Sequence, residues 1–144
     1  ARRKGRELAV QALYQMGVHG ESSAEAARRF FQHAEAGTQA KAFAAELVDG
    51  VNDGRTRIDQ LITDAAEHWR FERLSTVDLN VLRVSTYELL HRVVPTSVVI
   101  DEAIEVARRF GTGDSAVFVN GVLDQIAATL GVKDPAHRSV RDNG

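Results

Sequence analysis

Val93-Val94-Pro95-Thr96-Ser97-Val98-Val99-Ile100 is the stretch of this 144-residue chain that most invites a β-strand, because it is crowded with β-branched side chains. Pro95 interrupts it, having no N–H to give to a sheet ladder. Beyond it, Ile100, Ala103, Ile104, Ala107 and Phe110 recur at three- and four-residue intervals, which is the period of a helix face and not of a strand. The stretch therefore reads as a loop at Pro95 followed by a helix over about 97–110. With it gone no credible β-hairpin remains, and the expected fold class is all-α.

Working outward, Gly111 and Gly113 make a turn, and Asp114 or Ser115 caps a last helix carrying Phe118, Val119, Val122, Leu123, Ile126 and Leu130, with Gly131 as its C-terminal cap. Upstream, Ser75 and Asp78 have capping-box spacing before Val77, Val81, Leu82, Val84 and Leu89. A helical region over about 39–66 contains Gly50 and Gly54, residues that favour close packing or a bend, and Trp69–Leu74 reads as a short helical connector. Ser22 with Glu25 opens a short second helix holding Phe30 and Phe31, and an opening helix runs from Arg3 to Gly17. The expectation is one compact bundle of about six or seven helices over 1–144, with 133–144 a frayed tail. Amphipathic segments of this length bury their apolar faces only against one another.

Several kinds of chemistry find no support. Cysteine is absent, which removes disulfides, thiolate catalysis and Cys-ligated metals. The five histidines are scattered without HExxH spacing, and Glu102 and Glu105 lack the Glu-x-x-His companion of a bundle di-iron site. There is no GxxxxGK[ST] or GxSxG, and Gly111-Thr112-Gly113 has no preceding strand to make a dinucleotide loop. The chain is thus expected to be no enzyme and to need no metal or cofactor. No apolar run is long enough to span a bilayer, and the basic start lacks an apolar signal core. A cytoplasmic protein with no membrane partner is expected.

A net charge of −2 hides a polarity. The first nine residues hold four of the 18 basic groups, Arg2, Arg3, Lys4 and Arg6, and only one of the 20 acidic ones. A polyanion would be drawn to that end alone. On a helical wheel Arg2, Arg6 and Arg3 fall at about 200°, 240° and 300°, with Leu8, Ala12, Met16 and Ala9 at about 80–180°. One side is expected to be buried while an adjoining side shows guanidinium forks to phosphate. Cations at a helix N-terminus oppose its dipole, so a bound phosphate backbone would use both. Charge alone equally allows a solvated tail. Tyr14, more than two turns on, is either a stacking or hydroxyl contact for another nucleotide or a half-buried packing residue. In the Gly111–Ser115 turn Asp114 can accept from a base edge and Phe118 can offer a ring, although an N-cap and a core phenylalanine serve as well.

In combination these stretches resemble the NusB family of bacterial transcription antitermination factors. Arg3-Lys4-Gly5-Arg6-Glu7-Leu8-Ala9-Val10-Gln11-Ala12-Leu13-Tyr14 looks like the family's arginine-rich opening helix, and Val81-Leu82-Arg83-Val84-Ser85-Thr86-Tyr87-Glu88-Leu89 is similar to its central one. Val94-Pro95 with Val99-Ile100-Asp101-Glu102-Ala103 and Ala107-Arg108-Arg109-Phe110-Gly111 resembles the next helix. Asp114-Ser115 followed by Phe118-Val119-Asn120-Gly121-Val122-Leu123-Asp124 resembles the last. The likeness covers about residues 2–130. It implies an adaptor that binds boxA RNA of nascent ribosomal RNA transcripts together with NusE, a small-subunit ribosomal protein, and joins other Nus factors on RNA polymerase. Carried over by position, the RNA-facing residues are Arg2, Arg3, Lys4, Arg6, Tyr14, Asp78, Asp114 and Phe118, and the NusE surface lies around the central helix. Asp101 departs from the Asn common before Glu-Ala, and Asp78-Leu79-Asn80 from a more usual acidic-basic-Ala run. Two alternatives remain: a helical protein-interaction module that binds no RNA, and a detached copy of the similar domain that fronts some RNA cytosine methyltransferases.

Overall fold

A computed structural model describes residues 1–18, 20, 24–67, 74–92 and 94–133. They form seven helices and, among the described residues, no strand: α1 (Arg2–Val18), α2 (Ala24–His33), α3 (Thr38–Asp53), α4 (Arg55–Ala65), α5 (Thr76–His91), α6 (Thr96–Phe110) and α7 (Ser115–Leu130). The expected Ser22 cap, all of the 69–74 connector but Leu74, and the tail from 134 onward lie outside the described residues.

The stretch around Pro95 resolves into helix, as its period requires. Pro95 sits extended at the N-cap of α6 and its carbonyl accepts from the amides of Val98 and Val99 at 3.0 and 3.1 Å. Thr96 Oγ1 donates to the carbonyl of Val132, tying the start of α6 to the residue just past α7. There Gly131 adopts the left-handed conformation at φ 69°, and the amides of Val132 and Gly131 reach back to the carbonyls of Ala127 and Ala128, a Schellman closure. Ser75 caps α5 through its hydroxyl, which accepts from the Asp78 amide at 3.0 Å.

The helical region expected over 39–66 is two helices, because Gly54 ends α3 and opens α4. Each half of that apolar stripe serves a different neighbour: α3 lies chiefly on α1, and α4 on α5 and α7. Gly50 is the close approach foreseen, since a Cβ there would overlap the Tyr87 ring of α5. Helix α5 occupies the middle of the molecule, touching α1, α3, α4, α6 and α7, and buries Val81, Leu82, Val84 and Leu89 together with Asn80, Ser85, Thr86 and Glu88.

Helix α1 departs from the one-sided wheel. Besides Leu8, Ala9, Ala12 and Met16, it buries Gly5, Arg6, Val10 and Leu13, so the arc at about 220–280°, where Arg6 is expected to face phosphate, is interior while Arg2 and Arg3 on its two sides stay exposed. It packs mainly on α3, then on α5, α2 and α6. Beyond the exposed Arg2 and Arg3 at its start and Gly17 at its end, a narrow strip of Lys4, Gln11, Tyr14, Gln15 and Val18 stays exposed along its length.

Candidate nucleic-acid interface

The basic first turns of α1 are held by three different helices. Arg6 is 4% exposed, and its Nε and Nη2 donate to Glu88 Oε1 and Oε2 of α5 at 2.7 and 2.9 Å, a bidentate pair inside the core. Arg6 is therefore corrected from a surface group to an internal one: a guanidinium on an arc shared with Val10 and Leu13 is desolvated, and burial is tolerated only because Glu88 neutralises it. Its Nη1 also lies 3.5 Å from Glu102 of α6.

Arg3 stays outside, its side chain 59% exposed, yet Glu102 grips it through Nε and Nη2, the latter at 2.6 Å. Hydrogen bonding from Arg3, with its charge and that of Arg6, holds the Glu102 carboxyl below its ordinary range despite partial burial, and the same contact raises the pKa of Arg3. Arg2 turns the other way, its guanidinium carbon 4.7 Å from the centre of the Phe43 ring of α3; Arg6 lies 5.5 Å from the same ring. Gly5 makes this possible, since a Cβ there would come within 2.7 Å of Phe43 Cδ2. Glu7, half-buried on the next turn, faces Arg109 of α6 at 3.7 Å.

Lys4 and Tyr14, 38% exposed, open into one groove of about 550 Å³. Gln11 lies between them, and Val77 at the start of α5 and Phe110 at the end of α6 close it. Asp78 follows Val77 but is only 8% exposed, with Oδ1 buried and without a hydrogen-bond partner. Asp114 is exposed past the turn that follows Phe110, and its side chain makes no cap bond to α7; Ser115 Oγ instead accepts from the Thr112 amide at 3.0 Å. Phe118 is half-buried against the core. Lys4 and Tyr14 thus share a groove that neither Asp78 nor Asp114 lines, while Arg2 faces a separate hollow beside Phe43 and Glu46.

Comparison with known proteins gives the arrangement its context. The NusB family model matches residues 3–128, from the arginines of α1 almost to the end of α7. The chain belongs to the NusB family. It is 47% identical to the transcription antitermination protein NusB of Geobacter sulfurreducens over 132 residues, covering 90% of this chain and 96% of that protein. Among solved structures, NusB of T. maritima is 39% identical and superposes with a TM-score of 0.78, covering 89% and 91% of the two chains. NusB of Aquifex aeolicus is 26% identical with a TM-score of 0.76 over 92% and 93%. Membership makes this chain a transcription antitermination adaptor and not an enzyme, on an all-α NusB-like bundle with seven helices among the described residues.

Residues that the sequence did not bring forward organise the NusB-family opening helix here: Glu88, Glu102 and Phe43. In sequence Glu102 and Glu105 stand out as carboxylates three apart on one helix, a spacing that says nothing of the arginines they meet. Glu105 pairs with Arg108 at 2.8 Å and Glu102 with Arg3. Glu88 carried a signal, being a lone carboxylate in an apolar run. Of the departures from the family pattern, Asn80 is buried and accepts from Arg83, while Asp101 is exposed and leaves the clasp on Arg3 to Glu102. Among the described residues no helix is long and apolar enough to cross a membrane.

Proposed function

We propose that this protein acts in the cytoplasm as an RNA-binding antitermination adaptor that holds the boxA element of nascent ribosomal RNA transcripts jointly with NusE and contributes to a Nus-factor complex on RNA polymerase. The observation that carries the reading is the opening of Lys4 and Tyr14 into one groove walled by Val77 and Phe110, on the helix whose first turns expose Arg2 and Arg3. Lys4, Arg3 and Arg2 supply phosphate contacts, which attract RNA of any sequence. Tyr14 offers a ring and hydroxyl, Asp114 a carboxylate not used in capping, and Phe118 its outer edge, so base preference arises away from the arginines. Asp78, next to Val77 in sequence, is buried with one carboxylate oxygen unpaired, so it reaches RNA only if the start of α5 opens. Arg6 acts from within, fixing the start of α1 on Glu88 rather than touching RNA.

The test is a titration of a boxA oligonucleotide and a scrambled one, with and without NusE. Arg3→Glu with Lys4→Glu should weaken boxA binding at low salt by about tenfold or more while circular dichroism stays helical. Normal NusE binding with no RNA retained by the wild-type pair would instead mark a protein-only module.

A further inference from the structure

The groove at Lys4 and Tyr14 does not end at Gln15. A second hollow of about 480 Å³ continues from it between α1 and α2, sharing Gln15, Phe30 and Ala34 with the first and running on to Arg29 and His33. Together they make a trough along the exposed strip of α1. From Lys4 to Gln15 that helix rises about 16 Å, room for several nucleotides of an extended strand. Each hollow has the volume of a small-ligand pocket.

The lining matches a nucleic-acid strand in charge and in chemistry. Lys4 stands at one end, Arg29 and His33 at the other, and among the described residues the one carboxylate on the walls is Glu35. Between them Gln11 and Gln15 present amides, which donate and accept toward base edges of any kind. Phe30 is half-buried and held edge-on against Phe31, ring centres 5.4 Å apart at 82°, giving it a fixed orientation beside Tyr14's groove. Amides, spaced aromatic rings and positive ends are what single-strand paths combine. A purely apolar helix-docking groove would not need the polar strip.

We propose that the α1–α2 trough carries single-stranded RNA flanking the boxA contacts, with Arg29 and His33 meeting its far phosphates and Phe30 a base. The proposal rests on the RNA-binding reading above. It makes affinity depend on RNA length, in addition to the element recognised.

The experiment compares a minimal boxA oligonucleotide with the same RNA extended at either end, titrated against the full chain with NusE present. Wild type should bind one extended RNA about tenfold more tightly than the minimal one at low salt, with a steeper salt dependence. Arg29→Glu with His33→Glu, both exposed on α2 and outside the Lys4 groove, should erase that increment and leave the minimal RNA within about twofold. Arg29→Gln should remove part of it. An increment that survives the double substitution, or no gain from extension at either end, overturns the proposal. So does a loss of NusE affinity in the double variant with the increment intact, which would make the trough a protein surface. Failure of wild type to hold even the minimal boxA RNA would bring down the RNA reading itself, whereas binding of the minimal RNA without gain on extension brings down the trough alone.

Discussion

Arg6 shows how far a single residue's role depends on what surrounds it. By composition it belongs with Arg2, Arg3 and Lys4 as a cation for phosphate, but its fork is consumed by Glu88 where both are almost wholly buried. Removing one member of such a pair strands the other charge in the core, a cost well above that of an exposed ion pair. Glu88→Ala should therefore lower stability by about 3–5 kcal/mol in urea unfolding. Replacing both partners, Arg6→Leu with Glu88→Leu, should recover most of that loss. If Glu88→Ala unfolds like wild type, the internal pair is not holding α1 on α5. Arg3, by contrast, is exposed, and its substitution should change RNA affinity far more than stability.

At the scale of the helix, α1 is joined to α6 by Glu102, which engages Arg3 and lies near Arg6, and by Glu7 with Arg109. The Glu102 carboxyl is held below its ordinary value near 4.5, chiefly by the hydrogen bond from Arg3. A carboxylate with a depressed folded-state pKa contributes stability that is present above its unfolded value and is lost as pH falls through the folded one. Between about pH 6 and 4.5 the clasp should be intact, and below 4.5 it should weaken progressively. Melting temperatures of wild type and Glu102→Gln should accordingly differ most above pH 4.5 and draw together as pH falls below it. A gap that stays constant across that range would mean that Glu102 contributes no charged interaction. The strip of α1 left open between α2 and the ends of α5 and α6 belongs to this scale too, since the crowding of its other faces by α3 and α5 leaves Lys4, Gln11, Tyr14, Gln15 and Val18 exposed in a line.

Over the whole molecule, the net charge of −2 places most of the surface against a polyanion and leaves the start of α1 as the attractive end. Arg2, Arg3 and Lys4 remain exposed there while Arg6 is withdrawn, so the phosphate contacts from this end number fewer than the basic residues. For a single strand each contact adds about −0.7 to the slope of log affinity against log salt, and three give about −2. A slope near −3 or steeper for the minimal boxA RNA would require further cations, supplied by NusE.

The helical character of the chain was legible residue by residue, because the apolar period, Pro95, the Ser75 cap and the Gly131 cap are local signals that the backbone obeys without reference to distant neighbours. So was the basic polarity of the first turns, and the resemblance of the Val99–Ala103, Ala107–Gly111 and Asp114–Asp124 stretches to the NusB family. Three things waited for the tertiary structure: that α1 is buried on most of its circumference, that the 39–66 region divides at Gly54, and that Arg2, Arg3 and Arg6 go to Phe43, Glu102 and Glu88. The physical reason is the same in each case. Periodicity reports which residues avoid water, but whether a cation on a helix faces solvent or a buried carboxylate 82 positions away depends on which helices pack around it, and a wheel drawn for one helix does not contain them.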